Sequence, residues 1–382
     1  MSASARAPRW IRTPADMGRL AEDLGAARAV AIDTEADSLH HYPGKLCLVQ
    51  VATDAGGAHL VDPLALTDLS ALGPALAAPA IVKIFHAADN DLAYLKRHRD
   101  FAVASVFDTS IAARFLGVTS LGLDVLLKTY LGVDPGKSRQ KDDWSRRPLT
   151  PEQETYALND VVHLIPLRDR LTEELIARGR LAWLEEECAA LAAASVSPRI
   201  NDPDAYLGLK GTKDLDRRGL AVLRELYRER ERLALEMDRP PFMILGHDTL
   251  VVLAARRPTD VAGLLEIPGC TPRFERRFGA AVLGAIARGL AVPEDDLPVR
   301  TSKPRPNVPG AVRRRIEVLR AWRAKAAAAL GLDPGFFFPQ RLIDRLAAAP
   351  PADLDALSRT EGVHRWRAAV AGAEILQALR TA

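Results

Sequence analysis

Strand-forming sequence occurs only in the first part of this 382-residue chain, and everything after about residue 170 has the pattern of helices broken by Pro and Gly. The first three apolar runs follow one another closely enough to form a meander, and the later ones alternate with helical segments. These runs lie at 29–32, 46–51, 59–61, 81–85 and 105–107. We therefore predict an α/β domain with a mixed sheet and helical cover, followed by all-α domains.

The helical part of the chain contains an internal repeat. The spacing between matching motifs is 95 residues and then 93, which points to one duplicated module with a two-residue insertion or deletion. Alanine-rich helices can match by chance, but the Tyr/Trp-Arg and Asp anchors, together with Pro258 and its counterpart Pro351, favour a duplication. The pairs are Tyr227-Arg228 with Trp322-Arg323, Met237-Asp238 with Leu332-Asp333, Phe242 with Phe337, and Leu253-Ala254-Ala255 with Leu346-Ala347-Ala348.

The chain is longer than a typical single domain, so we expect several domains that each bury a core. A proline-rich stretch at 293–309 has the composition of a linker between the two helical modules. The predicted boundaries are 1–205 for the α/β domain, 210–292 for the first helical module and 310–382 for the second.

Composition is that of an ordinary globular protein, with 48% apolar and 26% charged residues. The N-terminal residues lack the apolar core of a secretory signal, and no run approaches the roughly 20 apolar residues that span a bilayer. We therefore expect a cytoplasmic protein without a membrane segment. Cys47, Cys188 and Cys270 have no paired spacing, so neither a disulfide framework nor a zinc site is expected.

The net charge of +3 is unevenly distributed along the chain. Residues 1–180 hold 21 Lys and Arg against 23 Asp and Glu, whereas residues 181–382 hold 31 against 26. A surplus of this size fits phosphate binding only weakly. Basic clusters such as Arg313-Arg314-Arg315 either meet phosphates or form solvated faces, and the sequence leaves both interpretations open.

Acidic residues follow two of the predicted strands. Asp33 and Glu35 stand two apart at the end of the first strand, so both side chains point to the same side. Asp91 lies one turn into a helix that begins near Asp89, for which an N-cap or first-turn position is expected. Leu92 and Leu95, three residues apart, would face the core and leave Asp91 directed toward the sheet edge where Asp33 emerges.

A third acidic element lies on a helix whose start is clearly marked by Thr150, Pro151 and Gln153. On this helix Tyr156 and Asp160 are four residues apart and share one face. Four carboxylates without a cluster of His or Cys form the ligand set of hard cations such as Mg²⁺ or Mn²⁺. Phosphodiester cleavage by two such ions, about 4 Å apart, requires a set of this kind.

At these residues the chain resembles the DEDD exonuclease superfamily, and within it the ribonuclease D family of the subgroup with tyrosine in the third motif. The resemblance covers most of residues 25–175, and the two helical modules resemble the HRDC domain shared by helicases and ribonuclease D. The flanking motifs that extend it are Phe107-Asp108-Thr109, Ala113-Arg114-Phe115-Leu116-Gly117, Asp143-Trp144 with Arg147-Pro148-Leu149, and Tyr156-Ala157 with Asp160-Val161.

The resemblance implies a ribonuclease-H-like fold in which Asp33, Glu35, Asp91 and Asp160 bind two divalent cations, Mg²⁺ or Mn²⁺. Tyr156 would orient the attacking water or help to deprotonate it. The implied activity is 3′→5′ exoribonucleolytic hydrolysis that releases 5′-nucleoside monophosphates from a free 3′-hydroxyl end. The implied substrates are tRNA precursors or other stable RNAs, bound by a monomeric enzyme whose helical half tethers nucleic acid.

Two nearby features are less distinctive. The loop at 134–141 has Gly136 where relatives tend to have an acidic residue before Lys. Its Lys137 and Arg139 are candidate substrate contacts, and a solvated basic loop is the alternative. We interpret His86 as a structural residue or one that supports the site, and not as a catalytic base, because the subgroup-defining position is already filled by Tyr156.

Two other functions compete with the exoribonuclease. A DNA 3′→5′ exonuclease would use the same acids, and only contacts to the ribose 2′-hydroxyl would separate the two substrates. A non-catalytic scaffold that binds nucleic acid through its helical half is the third possibility. The intact set of acids argues against the scaffold.

Overall fold

The computed structural model describes residues 9–196, 202–299 and 309–382, and the chain divides into two compact units. The first unit contains the sheet together with the second helical module. The second unit contains the first helical module together with the segment Asp37–Lys45. Most of the predicted linker and the N-terminal residues considered for a secretory signal lie outside the described residues.

Six strands form one mixed sheet in the order β1-β4-β3-β2-β5-β6. The predicted meander is present as the antiparallel pairs β2–β3 and β3–β4, while β5, β6 and β1 join in parallel. The predicted mixed sheet with helical cover is thus confirmed. The strands are β1 (Arg9–Ile11), β2 (Ala29–Ala36), β3 (Leu46–Thr53), β4 (Ala58–Val61), β5 (Val82–Phe85) and β6 (Val106–Asp108).

Eight helices accompany the sheet within residues 9–196. The clearest amphipathic example is α7, which buries Leu164, Leu167, Leu171 and Leu175 at helical spacing against the sheet. The helices are α1 (Pro14–Ala26), α2 (Gly73–Ala77), α3 (Asp89–Arg99), α4 (Thr109–Phe115), α5 (Leu123–Leu131), α6 (Pro151–Val162), α7 (Leu164–Ala177) and α8 (Leu181–Ala193).

Each helical module begins with a long helix, followed by shorter ones. The first has its own apolar core. It comprises α9 (Arg217–Glu236), α10 (Pro241–Ile244), α11 (His247–Arg256), α12 (Val261–Leu265), α13 (Pro272–Phe274) and α14 (Ala280–Leu290). The second comprises α15 (Gly310–Leu330), α16 (Pro334–Phe337), α17 (Gln340–Ala348), α18 (Leu354–Ser358) and α19 (Arg365–Arg380). Among the described residues, no helix is long and apolar enough to cross a bilayer.

The second module shares an aromatic core with the sheet domain. The ring of Phe115 on α4 lies 4.8 Å from Phe336 and 5.2 Å from Trp366, measured between centroids. Trp183 of α8 stacks on Trp366 at 4.9 Å, with the ring planes 16° apart. Aromatic pairs of this kind stabilise beyond the apolar area that they bury. Packing of this module against the sheet domain is therefore part of the fold of the first unit.

Two adjacent acids of α8 fasten the start of α19. Glu186 accepts the backbone amides of Arg365 (2.6 Å) and Trp366 (2.9 Å), which satisfies donors that every helix leaves free at its N-terminus. Glu187 pairs with the guanidinium of Arg367, which also donates to the carbonyl oxygen of residue 337 at 2.8 Å. A truncation that removes both modules would leave these groups unpaired, so it does not isolate the contribution of the helical half to nucleic-acid binding.

We predict that Arg367→Ala lowers the free energy of unfolding of the first unit by about 2–3 kcal/mol, because it removes a buried guanidinium and leaves the Glu187 carboxylate with the indole N–H of Trp366 but without its paired charge. Denaturant unfolding followed by tryptophan fluorescence measures this directly, since all five tryptophans belong to that unit. Arg345→Ala is the matched control: its partner Glu361 is 88% exposed, so a loss below about 0.5 kcal/mol is expected. Equal losses in the two variants would contradict the shared-core interpretation.

Candidate active site

Asp33 and Glu35 lie on the second half of β2. Along this half β2 is paired with β3 alone, because its parallel pairing with β5 covers only Ala29–Ala31. The two acids are therefore at an open part of the sheet, on the same face. Glu35 is buried and Asp33 is half-buried.

Asp91 is brought to the same place by the turn between β5 and α3. The hydroxyl of Thr34 donates to Asp91 Oδ1 at 2.5 Å, which ties α3 to β2 between the two strand acids. Asp89 is the first residue of α3, and Ala88 occupies the N-cap position without a side-chain hydrogen bond. Of the two positions expected for Asp89, the N-cap and the first turn, the structure therefore shows the first turn.

The backbone amides of the turn before α3 are satisfied by Asp108, which lies at the end of β6. Its buried carboxylate accepts the amides of Ala87 (3.2 Å) and Ala88 (2.8 Å), and at the start of α4 those of Ser110 (2.8 Å) and Ile111 (3.1 Å). Ala87 has a φ of 57°, a left-handed conformation that is costly for a residue other than Gly. Asp108 thus holds a strained turn in the conformation that positions Asp91.

The third element is α6, whose predicted capping box is present. Thr150 accepts the amide of Gln153, and the Gln153 side chain accepts the amide of Thr150 in return. The helix packs over β2, β3 and β4. Tyr156 and Asp160 share its inner face, line the same cavity and lie close enough to affect each other's pKa.

The carboxylates converge in one cluster. Ligand atoms of Asp33, Glu35 and Asp160 lie within 4.8 Å of one another, and Asp91 adjoins them through Thr34. Burial, followed by repulsion from the neighbouring carboxylates, raises the pKa of Glu35 to about 9 and that of Asp33 well above its usual range. Burial likewise raises the pKa of Asp91 and of Asp160 to about 7.

The chemistry of this donor set fits divalent cations. Buried like charges at this separation are unfavourable alone, and a hard cation with oxygen ligands would offset the repulsion. The acids line a cavity of about 510 Å³, within the roughly 300–1,000 Å³ typical of ligand sites. Its other walls come from residues 86–90, from the start of α5 and from the loop at 135–140.

The two predicted substrate contacts lie beside this cavity and outside the acidic cluster. Neither Lys137 nor Arg139 lines the cavity, although their neighbours Gly136 and Ser138 do. Lys137 is exposed, and Arg139 pairs with Asp142 at 3.4 Å. The structure therefore brings together the four acids and Tyr156. The basic side chains of Lys137 and Arg139 lie at the rim of the cavity.

His86 also lines the cavity, but its ring is held in place by another side chain. Its Nδ1 lies 2.9 Å from the hydroxyl of Thr109, and that hydroxyl donates to the carbonyl oxygen of Phe85 at 3.1 Å. The hydroxyl must therefore accept from His86 Nδ1–H. Burial lowers the pKa of His86, so the neutral ring is favoured.

One supporting interaction was not predicted from the sequence. Arg147 and the buried Asp62 form a bidentate pair with both N–O distances at 2.8 Å, and Arg147 also donates to the carbonyl oxygen of Trp144. Trp144 is fully buried, and its ring centroid is 6.1 Å from that of Tyr156. The pair thus fixes the loop that backs Tyr156. The motif around Trp144 signalled the loop, but nothing identified Asp62 as its partner.

Comparison with known proteins places this architecture in a family. The chain matches the family described as 3′-5′ exonuclease over residues 8–176, and the HRDC domain over 219–286 and 312–379. It is 34% identical to ribonuclease D of Gluconacetobacter diazotrophicus, covering 97% of this chain and 92% of the relative. It is 32% identical to ribonuclease D of Pseudomonas paraeruginosa, covering 98% of each.

Solved structures agree with these sequence matches. The structure of Escherichia coli RNase D, described as an exoribonuclease involved in structured RNA processing, has a TM-score of 0.73 and 26% identity, covering 98% of this chain and 99% of the other. The catalytic core of RRP6 from Trypanosoma brucei has a TM-score of 0.66 and 26% identity, covering 76% and 81%. With both kinds of domain matched in order over nearly its whole length, the chain belongs to the ribonuclease D family.

Proposed function

We propose that the protein is a 3′→5′ exoribonuclease that releases 5′-nucleoside monophosphates one at a time from RNA with a free 3′-hydroxyl end. The observation that carries the proposal is the convergence of Asp33, Glu35 and Asp160 within 4.8 Å, with Asp91 and Tyr156 adjoining them. Family membership supports RNA as the substrate, since the E. coli relative is described as an exoribonuclease. We propose tRNA precursors or other stable RNAs as natural substrates of a monomeric enzyme.

We propose that Asp33, Glu35, Asp91 and Asp160 hold two divalent cations, Mg²⁺ or Mn²⁺, because four carboxylates suit hard ions. Bound there, such ions supply Lewis-acid chemistry: they lower the pKa of water and offset charge on the scissile phosphate. The carboxylates fix where that chemistry occurs. We propose that the 3′-terminal nucleotide of the strand binds in the cavity of about 510 Å³ that these acids line.

Tyr156 is suited to orient the attacking water and not to deprotonate it. Burial, together with the charges of Asp160 and Glu35, raises the pKa of the phenol far above its ordinary value near 10. The phenol therefore keeps its proton at neutral pH and acts through hydrogen bonds. Its packing beside Trp144 fixes the position of the ring.

The chain's other parts have proposed supporting roles. Lys137 and Arg139 at the rim of the cavity would contact the phosphates of the incoming strand. The proposed domains remain 1–205 for the exonuclease, 210–292 and 310–382 for the HRDC modules, and 293–309 for the linker between them.

Digestion of matched RNA and DNA oligomers with free or blocked 3′ ends tests the proposed activity. In Mg²⁺ or Mn²⁺ we expect the wild-type protein to shorten RNA from a free 3′ end, to release 5′-monophosphates, and to leave 3′-blocked RNA intact. Asp160→Asn should abolish cleavage and leave RNA binding measurable, because it replaces a cation-binding carboxylate with a neutral amide of nearly the same shape. Preference for DNA would support the DNA exonuclease, and binding without any cleavage would support the scaffold.

We predict that Tyr156→Phe lowers kcat on the order of 10²-fold and leaves Mn²⁺ affinity unchanged, because it removes only the hydroxyl that orients the water. Single-turnover digestion of RNA gives the rate, and calorimetric titration gives the affinity. Tyr130→Phe is the control, since its phenol lies on α5 outside the cavity lining. A Tyr156→Phe rate within twofold of wild type would contradict the assigned role.

A further inference from the structure

Gln50, in the middle of β3, is a buried polar residue without a partner. Its side chain is fully inaccessible, and neither Nε2 nor Oε1 makes a hydrogen bond. Buried amides in proteins nearly always have partners, because they otherwise lose their bonds to water without replacement. The neighbouring positions of this strand are largely apolar, so packing alone does not account for a glutamine here.

The register of the sheet places Gln50 directly beside the acidic cluster. It is opposite Asp33 on β2 and opposite Leu60 on β4. Cross-strand partners share a face of the sheet, with Cβ atoms about 5 Å apart. Leu48, two residues earlier on the same face, is opposite Glu35. These neighbours lie on the face covered by α6. The side chains of Leu48 and Leu60 cannot hydrogen-bond to the Gln50 amide, whereas the carboxylate of Asp33 can accept from it.

A second orphaned group lies in the same region. The indole Nε1 of Trp144 is buried and has no acceptor. Trp144 packs in one cluster with Leu48 of the same strand as Gln50 and with Leu60 of the neighbouring strand. The needs of these groups are complementary. Trp144 lacks an acceptor, which Gln50 Oε1 can provide, and Gln50 Nε2 lacks the acceptor that the Asp33 carboxylate can provide.

We propose that Gln50 is a positioning residue for the cation-binding carboxylate of Asp33: its Nε2–H donates to Asp33, and its Oε1 accepts from Trp144 Nε1–H. The inference rests on the proposed function, because it requires Asp33 to hold a cation. Carboxylates that bind metals are commonly oriented by such outer hydrogen bonds. A neutral amide orients Asp33 without adding a positive charge that would compete with the cation.

Calorimetric titration of the full-length protein with Mn²⁺, combined with thermal unfolding of the metal-free protein, tests the inference. Gln50→Leu should raise the Kd for Mn²⁺ roughly 10-fold or more. The Tm of the metal-free variant shows whether it is folded, so that a loss of Mn²⁺ affinity is distinguished from unfolding. Trp144→Phe, which removes only the indole donor and its second ring, should raise the Kd by a smaller factor. Gln50→Met replaces Gln50→Leu if the latter does not fold.

Val51→Ala is the matched control on the same strand, because Val51 is buried and points to the opposite face. It should lower Tm and leave the Kd for Mn²⁺ within twofold of wild type. A Gln50→Leu protein that is folded and binds Mn²⁺ as wild type does would overturn the inference and leave the proposed function intact. A wild-type protein that binds no Mn²⁺ and digests no RNA would overturn both.

Discussion

Repulsion among buried carboxylates is the constraint on which the rest of this structure depends. Asp33, Glu35 and Asp160 converge in one cavity, where burial and their mutual proximity disfavour the ionised form of each. An arrangement of this kind lowers stability unless a cation offsets it, so the surrounding fold must hold the acids in place. The result is a site that is prepared for cations at a cost in stability, which is common where function requires buried charge.

The fold holds these acids through interactions made well away from them. Asp108 satisfies four backbone amides at once and so fixes the turn that carries Asp91. Asp62 and Arg147 fix the loop that backs Tyr156. Both arrangements use a buried carboxylate, paired in one case with amides and in the other with a guanidinium. Substitutions at Asp62 or Asp108 are therefore expected to affect the site without any contact with substrate.

Local geometry explains which parts of the site were predictable. Alternation along β2 places Asp33 and Glu35 on one side, and the four-residue spacing on α6 pairs Tyr156 with Asp160, so sequence spacing was sufficient for both. The partners of Asp108 and Asp62 lie far from them in the sequence or across a turn, so a periodic sequence pattern does not predict these contacts. Strand β1 was not predicted, because its two apolar residues stand between Arg9 and Arg12 and form no apolar run.

The duplicated modules show a similar limit. The repeat predicted two helical copies, but not that the second would share its aromatic core with the sheet domain through Phe336 and Trp366. In the first module Phe242 and Met243 remain about half exposed, whereas Phe337 of the second is fully buried. Sequence similarity between the copies therefore records a common fold and not a common role.

A crystal soaked in Mn²⁺ and measured by anomalous diffraction tests the central claim most directly, because it locates the ions independently of activity. We expect two peaks within about 2–2.6 Å of carboxylate oxygens from Asp33, Glu35, Asp91 and Asp160. A soaked crystal with these side chains ordered and no peak among them would contradict it.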